Sequence, residues 1–247
     1  MVELIIYKDN YLIEASYKLT LDEQRLMLYC IGKLNPVEPE QKQEIIIEDF
    51  AKNFRLDKNS AYQQVKKAIE NIYNRSIKVR DPKQEKEFRW IQEKTYIDKK
   101  GIAIIEFSNA IMPYLCQLEN QFTKYQLKYI SDFKSVYSIR VYELLTQFRT
   151  LKNRTILISE LRDLLNLNNK FLSWYDLKRS VIDKSIDEIN SKSDLRVEYV
   201  PIRKGRSFVA IEFFIEVDRD VNFLENKARA EYYLKKIKNK QKGNKNE

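Results

Sequence analysis

The chain has 247 residues, 43% of them hydrophobic and 12% aromatic, so it can bury one large or two small folded cores. Its net charge is +9, and residues 227–247 hold eight Lys or Arg against two Asp or Glu, whereas the preceding residues are nearly balanced. It contains no histidine, which excludes Ser-His-Asp and Cys-His catalysis as well as histidine-ligated zinc.

The first predicted elements are helical. Thr20 and Glu23 have the spacing of a capping box, which predicts the start of a helix with Leu21, Leu28 and Ile31 near one face. This helix is expected to stop at Asn35-Pro36, because the residue before proline avoids the helical region.

A strand and two helices are predicted next. The β-branched triplet 45–47 favours a short strand, and a helix is expected from about Glu48 to Phe54. After a turn at "RLDKN", the segment "NSAYQQVKKAIENIYNR" predicts a second helix. Its apolar face is formed by Ala61, Val65, Ala68, Ile69 and Ile72.

The middle of the chain alternates like β-structure. Strands are predicted at "SIKVR", "FRWIQEKTYID" and "GIAIIEFS", joined by polar turns. The next stretch, "IMPYLCQLENQFTKYQLKYI", is predicted to be a linker with helical character.

The last part of the chain repeats the same order of elements. The segment "RTILIS" predicts a strand, Ser159 is the expected cap of the helix "ELRDLLNL", and a longer turn, "NNKF", precedes a second helix. That helix is expected to bury Leu177, Val181 and Ile186. A β-hairpin turned at Lys204-Gly205 follows, with Phe208 and Phe213 available to the core.

The segments "EIIIEDFAKNFRLDKN" and "TILISELRDLLNLNN" are therefore two copies of one structural unit. A helix–turn–helix followed by a β-ribbon is a winged helix, whose second helix fits a major groove of DNA. The predicted fold is α+β, with two tandem winged-helix domains. Winged helices also serve as protein–protein modules, so the pattern favours DNA binding without deciding it.

The sequence indicates binding rather than catalysis. Neither a GxxxxGK[ST] nor a GxGxxG motif occurs. Acid pairs such as Glu48-Asp49 and Asp187-Glu188 fall at helix starts or on helix faces, where capping and solvation are commoner than acid–base chemistry. We therefore predict that the protein is not an enzyme and uses no metal or cofactor.

The cytoplasm is the predicted location. Cys30 and Cys116 are too few for a disulfide framework, and the helical pattern around Cys30 predicts a buried thiol. Every apolar run is shorter than the roughly 18 residues of a membrane helix. The segment "MVELIIYKDN" also lacks the basic and apolar regions of a secretory signal.

Two separated segments resemble one known family. "ASYKLTLDEQRLMLYCIGKLNP" and "WYDLKRSVIDKSIDEIN", the latter followed by "DLRVEY", are similar to signatures of the replication initiators of theta-replicating bacterial plasmids. The resemblance covers roughly residues 8–217, with both signatures in the expected order. It implies tandem winged helices that bind directly repeated origin sites, called iterons, and help to open adjacent A+T-rich DNA.

The resemblance also implies a domain plan and partners. We expect a first winged-helix domain at 1–124 for dimerisation and DNA contact, a second at 125–220 for most of the sequence reading, and a basic tail at 221–247. A monomer is expected to bind iterons, and a homodimer in equilibrium with it to repress its own promoter. Host replication initiator and helicase proteins are the other expected partners, and no membrane is involved.

The exposed sides of the two reading helices and the second hairpin supply the candidate DNA-binding residues. Arg179 is the strongest candidate for base reading, because a planar guanidinium matches the two acceptors of guanine. Asp176 either accepts from cytosine or is an acid favoured by the helix dipole. The residues flanking the hairpin turn suit phosphates better than bases. The full set is Asn59, Ser60, Gln63, Lys66, Lys67, Lys170, Ser173, Asp176, Arg179, Ser180, Lys184, Arg203, Lys204 and Arg206.

Two other functions remain open from the sequence. A winged-helix transcriptional regulator without an initiator role needs the same modules and charges. An adaptor that uses winged helices for protein contacts is the third class. Direct repeats of about two helical turns near the gene would favour an initiator.

Overall fold

The structure, a computed structural model, describes residues 3–35, 38–81, 83–97, 101–116, 118 and 121–217. Its α-helices are α1 (Asn10–Ile13), α2 (Leu21–Lys33), α3 (Ile47–Phe54), α4 (Lys58–Tyr73), α5 (Val136–Thr146), α6 (Ile158–Leu164), α7 (Trp174–Leu177) and α8 (Asp183–Lys192). Its strands are β1 (Ile5–Asp9), β2 (Lys42–Ile46), β3 (Ser76–Arg80), β4 (Glu85–Arg89), β5 (Ile91–Ile97), β6 (Ile102–Phe107), β7 (Phe122–Gln126), β8 (Asn153–Leu157), β9 (Leu195–Lys204) and β10 (Ser207–Val217). A π turn at Lys178–Ile182 joins α7 to α8, so residues 174–192 form one continuous helix.

The predicted capping box begins α2. The Thr20 hydroxyl accepts a hydrogen bond from the Glu23 backbone N–H (3.3 Å), and the Glu23 carboxylate accepts one from the Thr20 backbone N–H (3.0 Å). Cys30, further along α2, is buried as predicted, and burial raises the pKa of its thiol to about 12. This cysteine is therefore a protonated core residue.

The first winged helix is built from α2, α3 and α4 against the sheet β2-β6-β5. The face of α4 predicted to be apolar is buried, from Ala61 to Ile72. The single strand predicted at "FRWIQEKTYID" is wrong: the segment is divided at Trp90 into β4, which pairs with β3, and β5, which pairs with β6. The buried Trp90 ring meets the Tyr17 ring edge-on at 5.0 Å, and this core contact marks the break.

The second winged helix is built from α5, α6 and the helix 174–192 against the sheet β8-β10-β9. Leu177, Val181 and Ile186 are buried as predicted. The predicted cap at Ser159 is wrong, because α6 already begins at Ile158 and Leu157 occupies the cap position without a side-chain bond. Strand β8 runs directly into α6, so no polar cap residue intervenes.

The predicted linker of helical character is also wrong in its centre. Residues 122–126 form β7, which pairs antiparallel with β1, Ile5 facing Gln126. Among the described residues of this stretch, only the short 3-10 helices Met112–Tyr114 and Leu127–Tyr129 are helical. Strand β7 forms because it pairs with β1, which is far away in sequence. A local sequence pattern does not reveal this pairing.

A buried ionic network joins the two halves of the molecule. Arg140, in α5, donates to the carbonyl oxygens of Ile13 (2.8 Å) and Ala15 (3.0 Å) and forms an ion pair with Glu143 (2.9 Å). Lys8 approaches the same Glu143 carboxylate at 2.6 Å. Burial by itself would raise the pKa of Glu143, but the cations Lys8 and Arg140 hold it below its ordinary value.

Candidate nucleic-acid interface

The two helix–turn–helix units share the backbone bond that closes the first helix. The Leu56 N–H donates to the Ala51 carbonyl at 2.9 Å, and the Leu167 N–H donates to the Arg162 carbonyl at 2.9 Å. At the residue before each of these leucines the backbone is left-handed, with φ 51° at Arg55 and φ 49° at Asn166. The repeated sequence therefore encodes a repeated turn, in which a left-handed residue ends the first helix.

The two turns then diverge in length. The first turn spans residues 55–57 before α4 begins, whereas the second spans 165–173 before α7 begins. The longer turn has further left-handed residues at Asn168 and Phe171. Extra chain with strained backbone needs an additional support to hold one shape.

Arg162 supplies that support. Its guanidinium donates to the carbonyl oxygens of Phe171 (2.8 Å), Asn168 (3.0 Å) and Lys170 (2.7 Å). The equivalent position of the first unit is Ala51, which is buried and has no such role. Sequence reasoning missed Arg162, although an arginine in a short helix before a long turn without glycine was a usable signal.

Two of the predicted base-reading residues form the N-terminal cap of the helix 174–192. The Ser173 hydroxyl accepts from the Asp176 N–H (3.1 Å) and donates to the Asp176 carboxylate (2.8 Å). Asp176 is thus the first-turn acid of a capped helix, the second of the two roles considered for it. Both side chains stay exposed at the surface of the protein.

Arg179 is strongly exposed on this helix. Its side chain is 79% exposed and approaches Asp176 at 3.5 Å. An exposed pair of this kind contributes little to stability, so the guanidinium can leave it for another partner. Lys170 and Lys184 are exposed as well, whereas Ser180 is half-buried.

The middle of the helix is tied to the second hairpin. The Lys178 ammonium pairs with Asp183 (2.8 Å), and the Tyr199 hydroxyl of β9 donates to the same carboxylate (2.5 Å). The Asp183 N–H bonds to the Lys178 carbonyl, which gives the wide π turn, and the consecutive residues Val181 and Ile182 are both buried there. Asp183 is therefore engaged within the protein.

The second hairpin, β9–β10, carries a cationic tip. Lys204 and Arg206 are exposed on either side of Gly205, whose φ of 62° suits glycine. Below the tip, the Phe208 ring stacks on Trp174 at 4.5 Å, and the Arg203 guanidinium lies 4.1 Å from the centre of the Phe208 ring on β10. This stack fixes the hairpin to the first turn of the helix 174–192.

The candidates on α4 are less free. Gln63 and Lys67 are exposed, but the Lys66 ammonium lies 5.4 Å from the centre of the Tyr96 ring. Ser60 is half-buried, and its N–H donates to the Asp57 carboxylate (3.0 Å) at the start of the helix. The side chain of Asn59 lies outside the described part of the structure, as does the basic tail.

Comparison with known proteins identifies the family to which the chain belongs. Residues 5–146 match the pattern "Initiator Replication protein, WH1", and residues 157–215 match "Initiator Rep protein, WH2". The chain belongs to the initiator replication protein family. As a member of this family it has two winged-helix domains, which confirms the α+β fold class and the resemblance found in the sequence.

Other initiator proteins show how much of the chain the likeness covers. A replication initiation protein from Escherichia coli is 30% identical over 236 residues, which cover 91% of this chain and 73% of that protein. The PI protein of Escherichia coli is 22% identical over 250 residues, covering 85% of this chain and 82% of the other. The crystal structure of the Pi initiator protein in complex with iteron DNA matches 87% of this chain and 98% of that chain, with a TM-score of 0.76 and 22% identity.

A last observation on this initiator replication protein concerns membrane-spanning helices. Among the helices of its described residues, none combines the length and the apolar character needed to cross a membrane.

Proposed function

We propose that the protein initiates plasmid replication by binding directly repeated origin sites through both of its winged helices. The observation that carries the proposal is the repeated helix–turn–helix: the bonds Leu56 to Ala51 and Leu167 to Arg162 build the same turn twice. Two reading units of one kind in one chain suit two successive stretches of duplex. Membership of the initiator family and the likeness to an initiator bound to iteron DNA support the same function.

The two winged helices divide the work in this proposal. In the second, the exposed Arg179 is available to base edges, and the exposed Arg203, Lys204 and Arg206 of the hairpin are available to phosphates. In the first, Gln63 and Lys67 make the corresponding contacts with DNA. The first domain also carries the dimer contact in this proposal. The boundaries proposed for these domains are 1–124 and 125–220, with 221–247 as a basic tail that adds attraction for any DNA.

Footprinting of the full-length protein on the DNA that flanks its gene tests the proposal. We expect protection of direct repeats, each about two helical turns or ~21 base pairs long. Competition with a scrambled duplex of the same length and composition is the control for sequence preference. No protected repeat, or equal affinity for the scrambled duplex, contradicts the proposal.

A transcriptional regulator would give the same footprint, so replication must be measured directly. We expect that a plasmid with the gene and its repeats as the only origin is maintained in the host, and that removal of the repeats abolishes maintenance. Repression of the promoter without plasmid maintenance would establish the regulator instead. Expression of a reporter gene from the same promoter, measured at increasing levels of the protein, then distinguishes self-repression from replication.

The partners in this proposal are DNA, a second copy of the chain, and host replication initiator and helicase proteins in the cytoplasm. The monomer binds iterons, the homodimer binds the promoter, and sedimentation with each duplex compares the two states. This proposal includes no bond-making step by the protein itself, and a chain without histidine cannot use Ser-His-Asp or Cys-His catalysis. Metal-dependent nicking of plasmid DNA by the purified protein would contradict this part.

A further inference from the structure

The start of the second recognition helix, defined as residues 174–192, exposes two large apolar side chains. Leu172 is 75% exposed and Tyr175 is 72% exposed, the highest values among the exposed large hydrophobic residues of the described chain. Both lie beside the Ser173 cap, and Tyr175 precedes Arg179 by one turn. Single exposed apolar residues are common on proteins, so their meaning depends on where they lie.

The exposure of Leu172 is unusual for its position. A leucine just before a cap often packs against the fourth residue of the helix, which here is Leu177. Leu177 is buried, but Leu172 leaves three quarters of its surface exposed. The Arg162 guanidinium fixes the backbone of the preceding turn at Lys170 and Phe171, and so holds Leu172 in this outward position.

The first winged helix shows the ordinary arrangement. Leu56, in its turn, and Tyr62, in the first part of α4, are both partly buried against the core. A repeat of the same fold thus buries the apolar residues near the start of its recognition helix. The exposure of Leu172 is therefore not repeated by Leu56, the leucine that precedes α4 in the first unit.

We propose that Leu172 and Tyr175 read thymine by contact with its C5-methyl group. The inference rests on the proposed function, and it adds residues and a base that the candidate set did not contain. The first residues of a recognition helix reach base edges, and the thymine methyl is the apolar feature of the major groove. The occupant is DNA because exposed cations accompany the pair: Lys170 and Arg179 flank it in the chain, and Trp174 between the two residues stacks on Phe208 of the hairpin whose tip carries Lys204 and Arg206.

Removal of single methyl groups from the DNA tests the contact. The probe is a duplex selected from a randomised pool by the full-length protein, in which each thymidine is replaced in turn by deoxyuridine. We expect a loss of affinity of about fourfold at one or two positions, the effect of one buried methyl group. In L172A and Y175A the loss at these positions should disappear, whereas Y175F should keep it.

Leu151 provides the matched control. It is a leucine 67% exposed in the turn after α5, so L151A removes a similar apolar surface away from the recognition helix. We expect L151A to retain the full response to deoxyuridine. Thermal unfolding of each variant verifies that the substitutions leave the fold intact.

Each other outcome has a defined meaning. If no thymidine responds to the replacement, or if L172A and Y175A respond as the unaltered protein does, the methyl contact is refuted although DNA binding stands. If the two variants change sedimentation but not DNA affinity, the residues form a protein contact and the inference is again refuted. If the pool yields no selected duplex, the proposed function itself fails.

Discussion

The two winged helices share a fold but present different recognition helices. In the first, the turn 55–57 is short, and the Lys66 ammonium is held over the Tyr96 ring. In the second, Arg162 holds the longer turn 165–173, and Arg179 projects into solvent. Duplication of a winged helix therefore leaves each copy free to specialise, because the turn can lengthen while the core positions stay fixed.

The strongest test breaks the connection between the two units. Replacement of Arg140 by alanine removes the ion pair with Glu143 and the bonds to Ile13 and Ala15, and leaves a buried charge with fewer partners. We expect the free energy of unfolding, measured in urea, to fall by about 3–5 kcal/mol. The exposed Arg80 is the control, since R80A should change it by less than about 0.5 kcal/mol. Equal effects of the two substitutions would show that the buried network does not join the units.

The next test removes the feature that distinguishes the second turn. Arg162→Ala frees the carbonyl oxygens of Asn168 and Phe171 from their donor. We expect affinity for a selected duplex to fall about 100-fold, close to 3 kcal/mol, because the start of the recognition helix loses its fixed position. Affinity for a random duplex should change much less. Equal losses on both duplexes would mean that Arg162 supports stability and not sequence reading.

A third test compares single side chains on the two recognition helices. Arg179→Ala should reduce the binding free energy by about 1–3 kcal/mol at one base pair and relax the preference there, since it removes a bidentate contact to guanine. Lys67→Ala on α4 should weaken binding to all sequences alike. The measurement is competition binding with every base pair of the selected duplex changed in turn. If K67A alters the preference and R179A does not, the first unit is the main reader.

The smallest expected effect concerns the phosphate contacts. Lys204→Gln removes one exposed cation from the hairpin tip. We expect the slope of log affinity against log salt to become less steep by about 0.9, the value for one phosphate contact on duplex DNA. Sequence preference should not change. An unaltered slope would place the hairpin tip away from the DNA backbone.

The sequence was sufficient for features that depend on local pattern. The capping box of Thr20 and Glu23, the buried face of α4 and the duplicated helix–turn–helix were predicted because cap spacing and helical periodicity are written in neighbouring residues. The repeated order of elements predicted the tandem winged-helix fold, and the resemblance of two segments to one family implied the same fold.

Features that depend on distant partners were not predicted. Strand β7 needs β1, and the break at Trp90 needs the core around Tyr17. In the site, the side chain of Arg162 finds its carbonyl partners only when the turn is folded, and exposure at Leu172 contradicts the ordinary behaviour of a leucine before a cap. The roles of such residues are found only in the folded structure, because they depend on contacts and exposure that neighbouring residues in the sequence do not determine.

The pairing of β1 with β7 also sets an order of events during synthesis of the chain. The partner of Ile5 is Gln126, so the first strand waits unpaired until more than half of the 247 residues have been made. At roughly 5–20 residues per second on the ribosome this delay is about 6–24 seconds, far longer than a helix or a hairpin takes to form. The helix–turn–helix at 47–73 and its sheet can therefore assemble first, and closure by β1 is a late step that waits for translation.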